Sequence, residues 1–429
     1  VFSWRNKMAA GTIQSIPPAQ EQSAVLTEYP PKALHPLQGR DFRRFWLGSL
    51  VSLIGDQFYL VAMPWLALQT SGSGFALGTV LMIAAGPRAV LMLVGGAASD
   101  RTSPRAILLI TAWVRSFLVL MAGLLVYHHL IQLWEIYLLA AAFGCADAFS
   151  YPAGAAMLPT LVAKEQLPAA NSMTMAATQL SLILGPLLAG LVVKLWGMPW
   201  AFLMDALSFM ALIAALMGLR EKPGPRATQP ANAMRHLIAE GLRYATQKPA
   251  LRSLLVLAAA VNFCVAGPVM VGLAELSKQR YGSISMFGVF ISALSFGALA
   301  GAIVPSLMKR PARHGMFVLA ICTVLGAGML LLGWLSHSAA IIVTLAAMGA
   351  GSGWINVDVQ SWLQAEVERQ MVGRVISLLM FAMVGLAPLS YVAAGALVQV
   401  SLALTFGVAG LLVLAVVAVA AWEGSIQSI

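Results

Sequence analysis

Ionisable side chains are scarce inside the apolar stretches of this sequence, and the few that occur there are the ones best placed to do chemistry. Asp56, Arg88, Arg115, Asp147 and Asp358 each stand in an otherwise hydrophobic run. A charge held in hydrocarbon is costly, so residues retained there are candidates for function. A carboxylate is the simplest proton carrier in such a place, because its charge answers both to desolvation and to a neighbouring guanidinium. Asp56 lies about 11 residues into its run, near mid-depth at ~1.5 Å per residue, and Arg88 lies at similar depth in the next. The two are expected to pair, either as a proton-coupling switch that opens with conformation or as a structural tie between helices. Arg115 and Asp147 are placed nearer the ends of the third and fourth runs, where they pair and brace a mouth. Tyr151 falls one turn from Asp147 on the same face. Asp205 is placed at the start of the sixth run, where a carboxylate suits a helix N-terminus and needs no further role. Asp358, with Asn356 and Gln360, lies near the end of the tenth, lining an exit path or capping it.

The elements that carry these residues are membrane helices. The sequence is 60% hydrophobic and 10% charged, far from the composition of a soluble domain. Its apolar residues form continuous blocks of roughly 20, the length a helix needs to cross ~30 Å of hydrocarbon. Twelve blocks are visible, centred near Ile54, Pro87, Phe117, Ala142, Ile183, Phe209, Cys264, Ala298, Thr323, Met348, Val384 and Leu411. The fold class that follows is an all-α membrane protein with twelve transmembrane helices. Val1 to Leu37 contains no apolar run of the kind a signal peptide needs, and residues 1–40 are read as a disordered tail, with the true start at Met8 or upstream. Cys145, Cys264 and Cys322 are far apart within apolar blocks and read as inert small hydrophobes.

The net charge of +10 is a matter of topology and not of a nucleic-acid partner. With the N-terminus inside, the outer segments hold only Lys194, Lys278 and Arg280. The inner ones hold clusters such as Arg40, Arg43, Arg44 and Lys309, Arg310, Arg313. That bias is the positive-inside rule, and it predicts both termini in the cytoplasm.

The charged stretch 220–249 divides the blocks six and six, giving bundles at 41–219 and 250–423 and a short tail at 424–429. Within the divide, Met234, Leu237, Ile238, Leu242 and Ala245 recur at helical spacing opposite Arg235, Glu240 and Arg243, which predicts a helix lying on the membrane surface. The halves echo each other at an offset near 205 residues: Pro64 answers Pro268, and Ala189-Gly190 answers Ala394-Gly395. Duplicated halves are how secondary transporters build a central site.

Gly96 to Arg105 reads G-x-x-x-D-R-x-x-x-R, and it resembles the loop signature between helices 2 and 3 of the major facilitator superfamily. Further stretches are similar to its enterobactin-exporter and macrolide-efflux branch: Phe42-Arg43-Arg44-Phe45-Trp46, Met63-Pro64-Trp65-Leu66, Met157-Leu158-Pro159, Ala201 to Phe209, Gly349 to Gly353 and Gly373-Arg374-Val375. The resemblance implies two pseudo-symmetric six-helix bundles and alternating access. The reading that follows is a proton-coupled antiporter of the bacterial inner membrane, acting as a single chain and exporting amphipathic drug- or siderophore-like molecules. It implies that Gly96 and Asp100 latch onto the start of helix 11, while Arg101 and Arg105 pair with acids and lipid phosphates. Leu184-Gly185-Pro186-Leu187-Leu188-Ala189-Gly190 resembles the antiporter signature of helix 5, with Ser181 where an upstream glycine is expected; Gly185, Pro186 and Gly190 are expected to seal the inner side of the cavity. Helix 4 lacks the arginine of the usual pattern there. Tyr59, Met63, Asn262, Met270 and Trp354, with Asn356, Asp358 and Gln360, are the expected cavity wall, where aromatic and methionine side chains suit bulky apolar substrates. No metal cluster, cofactor motif or nucleophile–base arrangement is visible, so no enzyme is expected. Two alternatives remain open: a lysophospholipid-type flippase on the same fold, and a non-transporting membrane receptor or assembly factor.

Overall fold

The computed structural model describes residues 35–219, 243–307, 314–368 and 371–423. Among them run twelve helices long and apolar enough to cross a membrane. The first six are α1 (Arg40–Ser71), α2 (Gly74–Arg101), α3 (Pro104–Tyr127), α4 (Leu133–Leu161), α5 (Leu167–Trp196) and α6 (Met198–Met217). The second six are α7 (Pro249–Tyr281), α8 (Ile284–Leu307), α9 (His314–Trp334), α10 (Ser338–Glu366), α11 (Val372–Val400) and α12 (Leu402–Glu423). The tail and most of the predicted surface helix lie outside the described residues; only a short helical piece at 243–247 is seen.

The two halves repeat one packing plan. Helices α2 and α4 pack together as α8 and α10 do, and α3 packs on α6 as α9 packs on α12. Small residues make these approaches close. Gly144 sits against the Ala84 backbone, while Gly297 and Gly301 face the backbones of Ala346 and Ala350, so that a Cβ on any of them would overlap main chain.

The turns differ at the two ends. At the end reached by α1, the chain reverses in very few residues. Gly72 (φ 66) closes α1 to α2 and Gly197 (φ 93) joins α5 to α6, backbone conformations that favour glycine. The halves also meet near this end, through α2 with α11 and α5 with α8. Gly78 lies on the backbone of Tyr391, and Gly288 on the Pro186 carbonyl. The apolar core runs across the halves here, including Leu68, Leu77, Ile284, Phe287, Ala394 and Val398. A second core, around Leu251, Leu319, Leu363 and Val375, belongs to the C-terminal half alone.

Helix α7 is irregular where Pro268 removes a backbone donor. A π turn spans Pro268–Gly272, and a second spans Ser277–Tyr281. One residue earlier, Ser390 of α11 is inserted into the ladder, accepting from the Gly267 N–H at 2.7 Å and donating to the Phe263 carbonyl. Side chains of neighbouring helices commonly re-satisfy such freed groups in membranes.

Candidate functional site

The ionisable residues of the first half converge on one interior network. Arg115 of α3 places Nη2 2.6 Å from Asp56 Oδ1 of α1 and 3.7 Å from Asp147 Oδ1 of α4. Arg88 of α2 places Nη1 3.1 Å from the other Asp147 oxygen. Four helices are thus tied by two guanidinium groups and two carboxylates, alternating in sign. The expected Asp56–Arg88 pair does not form: Arg115 takes Asp56 while keeping the expected contact with Asp147, and Arg88 takes the other Asp147 oxygen. Arg115 and Asp147 fall midway along α3 and α4 rather than near their ends, because both helices extend further than the apolar blocks suggest, and mid-depth brings Arg115 level with Asp56.

The network grades from dry to wet. The Arg115 side chain is 7% exposed, Asp56 and Asp147 about a fifth, and Arg88 44%. The Arg115 guanidinium lies over the Phe143 ring at 4.7 Å and the Phe209 ring at 4.5 Å from the centroids, a cation–π setting that partly replaces lost hydration. Phe143 stacks in turn on Tyr59, centroids 3.9 Å apart. Tyr59 and Met63 are therefore core residues in this state, 5% and 2% exposed, and do not line an open wall. One turn along α4 from Asp147, Tyr151 is exposed.

Asp205 departs most from expectation. Helix α6 begins at Met198 with Pro199 in its first turn, so Asp205 stands two turns inside it and is fully buried. The sequence signal was Gly197-Met198-Pro199, a start that the apolar block concealed. A Cβ added to Gly55 would approach Asp205 Oδ1 to 3.0 Å and overlap Ser208, so it is the missing side chain at Gly55 that lets α1, one residue from Asp56, approach α6 at Asp205.

In the second half, Asp358 is buried and lies 2.9 Å from His314 Nδ1 at the start of α9. His314 was not singled out in the sequence. With Leu254, Gly315, Val318, Val359 and Trp362 the pair lines a small crevice. Gln360 bonds Asn356 across one turn at 2.9 Å, and Trp354 packs against Phe317 at 4.8 Å. Asn262 and Met270 are half-buried on α7. These residues stand on their expected helices, but the structure does not gather them around the Asp56 network.

The side chains at Gly96, Asp100 and Arg101 lie outside the described residues. Arg105 donates from Nε to the Leu216 carbonyl at 2.8 Å and from Nη2 to Met217 at 3.2 Å, and Arg44 reaches Gly218 at 3.2 Å. Arg105, expected to meet an acid, takes with Arg44 the carbonyls at the C-terminus of α6, where the helix dipole favours cations. The helix-5 motif makes close helix contacts. Gly190 packs on Ser285, whose hydroxyl donates to the Gly190 carbonyl at 2.9 Å, and Gly185 packs on Gln57. This seal lies toward the end with the short α1–α2 and α5–α6 turns, because Pro186 stands well past the middle of α5.

Residues 31–424 match the family described as transmembrane secretion effector. Among curated proteins, the multidrug efflux pump Tap of Mycolicibacterium fortuitum is 29% identical over 360 residues, covering 81% of this chain and 87% of Tap. The enterobactin exporter EntS of Shigella flexneri is 25% identical over 338 residues, covering 78% and 79%. Among solved structures, a point mutant of the nucleoside transporter NupG superposes with a TM-score of 0.70 at 12% identity, over 90% of this chain and 98% of that one. An inward-facing, unoccupied bacterial homologue of the human lysosomal transporter Spinster gives 0.67 at 12% identity, over 90% and 95%. The structural likenesses carry the fold alone.

Proposed function

The chain belongs to the transmembrane secretion effector family of major facilitator exporters, and from that premise we propose that it exports amphipathic small molecules in exchange for protons by alternating access. Transport rather than catalysis follows from the family. The observation that carries proton coupling is the Asp56–Arg115–Asp147–Arg88 network. It spans four helices at mid-depth, and its carboxylates are partly accessible.

The positive-inside rule assigns the end bearing Arg40, Arg43, Arg44 and Arg105 to the cytoplasm. The end where α2 meets α11 and α5 meets α8 is then the outer one, and the state seen is closed outside. In that state Asp56 and Asp147 are held as counter-ions by Arg115 and Arg88. A proton arriving at Asp56 removes its charge and releases Arg115 from that pair, loosening α1 from α3. Each conformation thus favours a different protonation state, which is the differential interaction coupled exchange requires. Drug-like and siderophore-like compounds are the substrate classes supported by the named relatives, and the chain works as a monomer among membrane lipids.

The test is substrate-driven proton movement in proteoliposomes, comparing wild type with Asp56→Asn against dyes, macrolides and catechol siderophores. Proton flux that accompanies export in wild type and vanishes in the variant supports the reading. Export with no proton movement removes proton coupling, and movement of labelled lysophospholipid alone would turn the function toward lipids.

A further inference from the structure

Among the described residues, the interior of the first half holds three carboxylates against two guanidinium groups. Asp56 and Asp147 are paired with Arg115 and Arg88. Asp205 is left over. It is 0% exposed, its Oδ2 has no hydrogen-bond partner, and its Oδ1 has only the Ser208 hydroxyl at 3.4 Å, a group already committed to the Asp205 carbonyl at 2.7 Å. An ionised carboxylate placed there would be a buried charge without a counter-ion, whereas a neutral carboxyl forgoes at most a hydrogen bond.

We propose that Asp205 is a second proton-holding site, neutral in this state, that exchanges its proton with Asp56 while Arg115 moves the other way. The groups that face it are known from each helix packed on α6. Helix α1 brings Asp56 and Tyr59, whose hydroxyl is also buried without a partner; α3 brings Arg115, whose Nε is unpartnered; α5 carries its one charge, Lys194, in its last turn. Arg115 thus has an unused donor and is the guanidinium buried beside both acids. The step balances. The O–H bond at Asp205 Oδ2 breaks, a new O–H bond forms at Asp56, and the guanidinium shifts its pairing from Asp56 to Asp205, so the net charge of the interior does not change. Asp56, about a fifth exposed, then passes the proton to water in the cavity. Asp205, shut from solvent on all sides, holds it while the halves rearrange. The inference rests on the proton-coupled reading for its role in transport, but the neutral carboxyl stands apart from it.

Infrared spectroscopy of the full chain in lipid at neutral pH, read at the carbonyl band of protonated carboxyl groups, makes the test. Asp205→Asn is expected to lose one carboxyl's share of that band, and Asp205→Glu to move it, while Asp56→Asn, which frees Arg115 to take Asp205 as its counter-ion, is expected to weaken it. Glu275→Gln serves as the control for the other buried acid with an unpartnered oxygen. A band unchanged in both Asp205 variants overturns the proposal, and Asp205→Glu keeps it testable if the asparagine variant fails to fold. Proteoliposome proton flux is read separately. Loss of flux coupling with the Asp205 band intact sinks the coupled reading and spares the site; the reverse pattern sinks the site alone.

Discussion

Lys278 of α7 donates from Nζ to the Leu68 carbonyl near the end of α1 at 3.0 Å, so a cation of one half sits on the C-terminal carbonyls of a helix in the other. The Leu68 carbonyl also accepts the Gly72 N–H at 3.1 Å, and the negative end of the helix dipole makes a cation there favourable. Beside it Gln399 of α11 donates to the Ser73 hydroxyl at 2.7 Å. The two contacts tie the halves at the end assigned to the outside. A hydrogen bond from a charged donor contributes about 1.5–3 kcal/mol, so Lys278→Met with Gln399→Leu is expected to shift the population at least tenfold toward the outward-open state. Spin labels at the exposed Thr70 and Ser401, with Cys145, Cys264 and Cys322 replaced by alanine, would report it. An unchanged distance distribution would deny these contacts a gating role.

Backbone approach carries the rest of that closure. Gly78 touches the backbone of Tyr391, and Gly288 touches the Pro186 carbonyl. A side chain cannot fit at either without parting the halves, and forced overpacking costs about 1–3 kcal/mol. Gly78→Val and Gly288→Val are therefore expected to favour the outward-open form, raising the labelling of a cysteine placed at Ser285 by a membrane-impermeant maleimide. The same substitution at Gly154, where a Cβ meets nothing, is the control and leaves labelling unchanged.

The same two kinds of position explain what could be read from sequence. Twelve spans and the membrane class followed from apolar block length and needed no partner information. Which acid meets which base did not, because Arg88 and Arg115 lie on adjacent helices at similar depth, and helix rotation, invisible in a one-dimensional pattern, decides between them. Asp205 was misplaced by a boundary error of two turns. His314 was missed because a histidine beside a charged loop looks like surface. Lys278 and Leu68 are more than two hundred residues apart, and nothing local in either segment announces the other.

The buried pair sets a stability contrast. Removing one partner of a buried ion pair typically costs about 3–5 kcal/mol, because the other charge is left without compensation. Arg115→Gln should therefore lower the Tm of the detergent-solubilised protein well below wild type, and adding Asp56→Asn should recover part of the loss. Arg115→Lys should not restore the wild-type Tm, since an ammonium cannot lie flat between Phe143 and Phe209 as the guanidinium does. A double variant no more stable than Arg115→Gln alone would show that Asp56 is not the group left uncompensated.

Gly55 offers the sharpest test of how α1 and α6 set the network. A Cβ at this position would overlap both the Oγ and the Cβ of Ser208 and press on Asp205 Oδ1. Gly55→Ala must therefore push α1 from α6, carrying Asp56 away from Arg115 as it goes. Folded yield and transport are both expected to fall, by about the 1–3 kcal/mol that overpacking a tight interior costs. The compensating change is specific. Ser208→Gly clears both overlapping atoms and should restore yield and transport, whereas Ser208→Ala clears only the hydroxyl and should restore them in part. Fluorescence-detected size exclusion of the three variants, followed by transport of whichever dye the wild type exports, measures both. If Ser208→Gly brings no recovery, the cost of Gly55→Ala lies elsewhere, and the α1–α6 approach is not what positions Asp56.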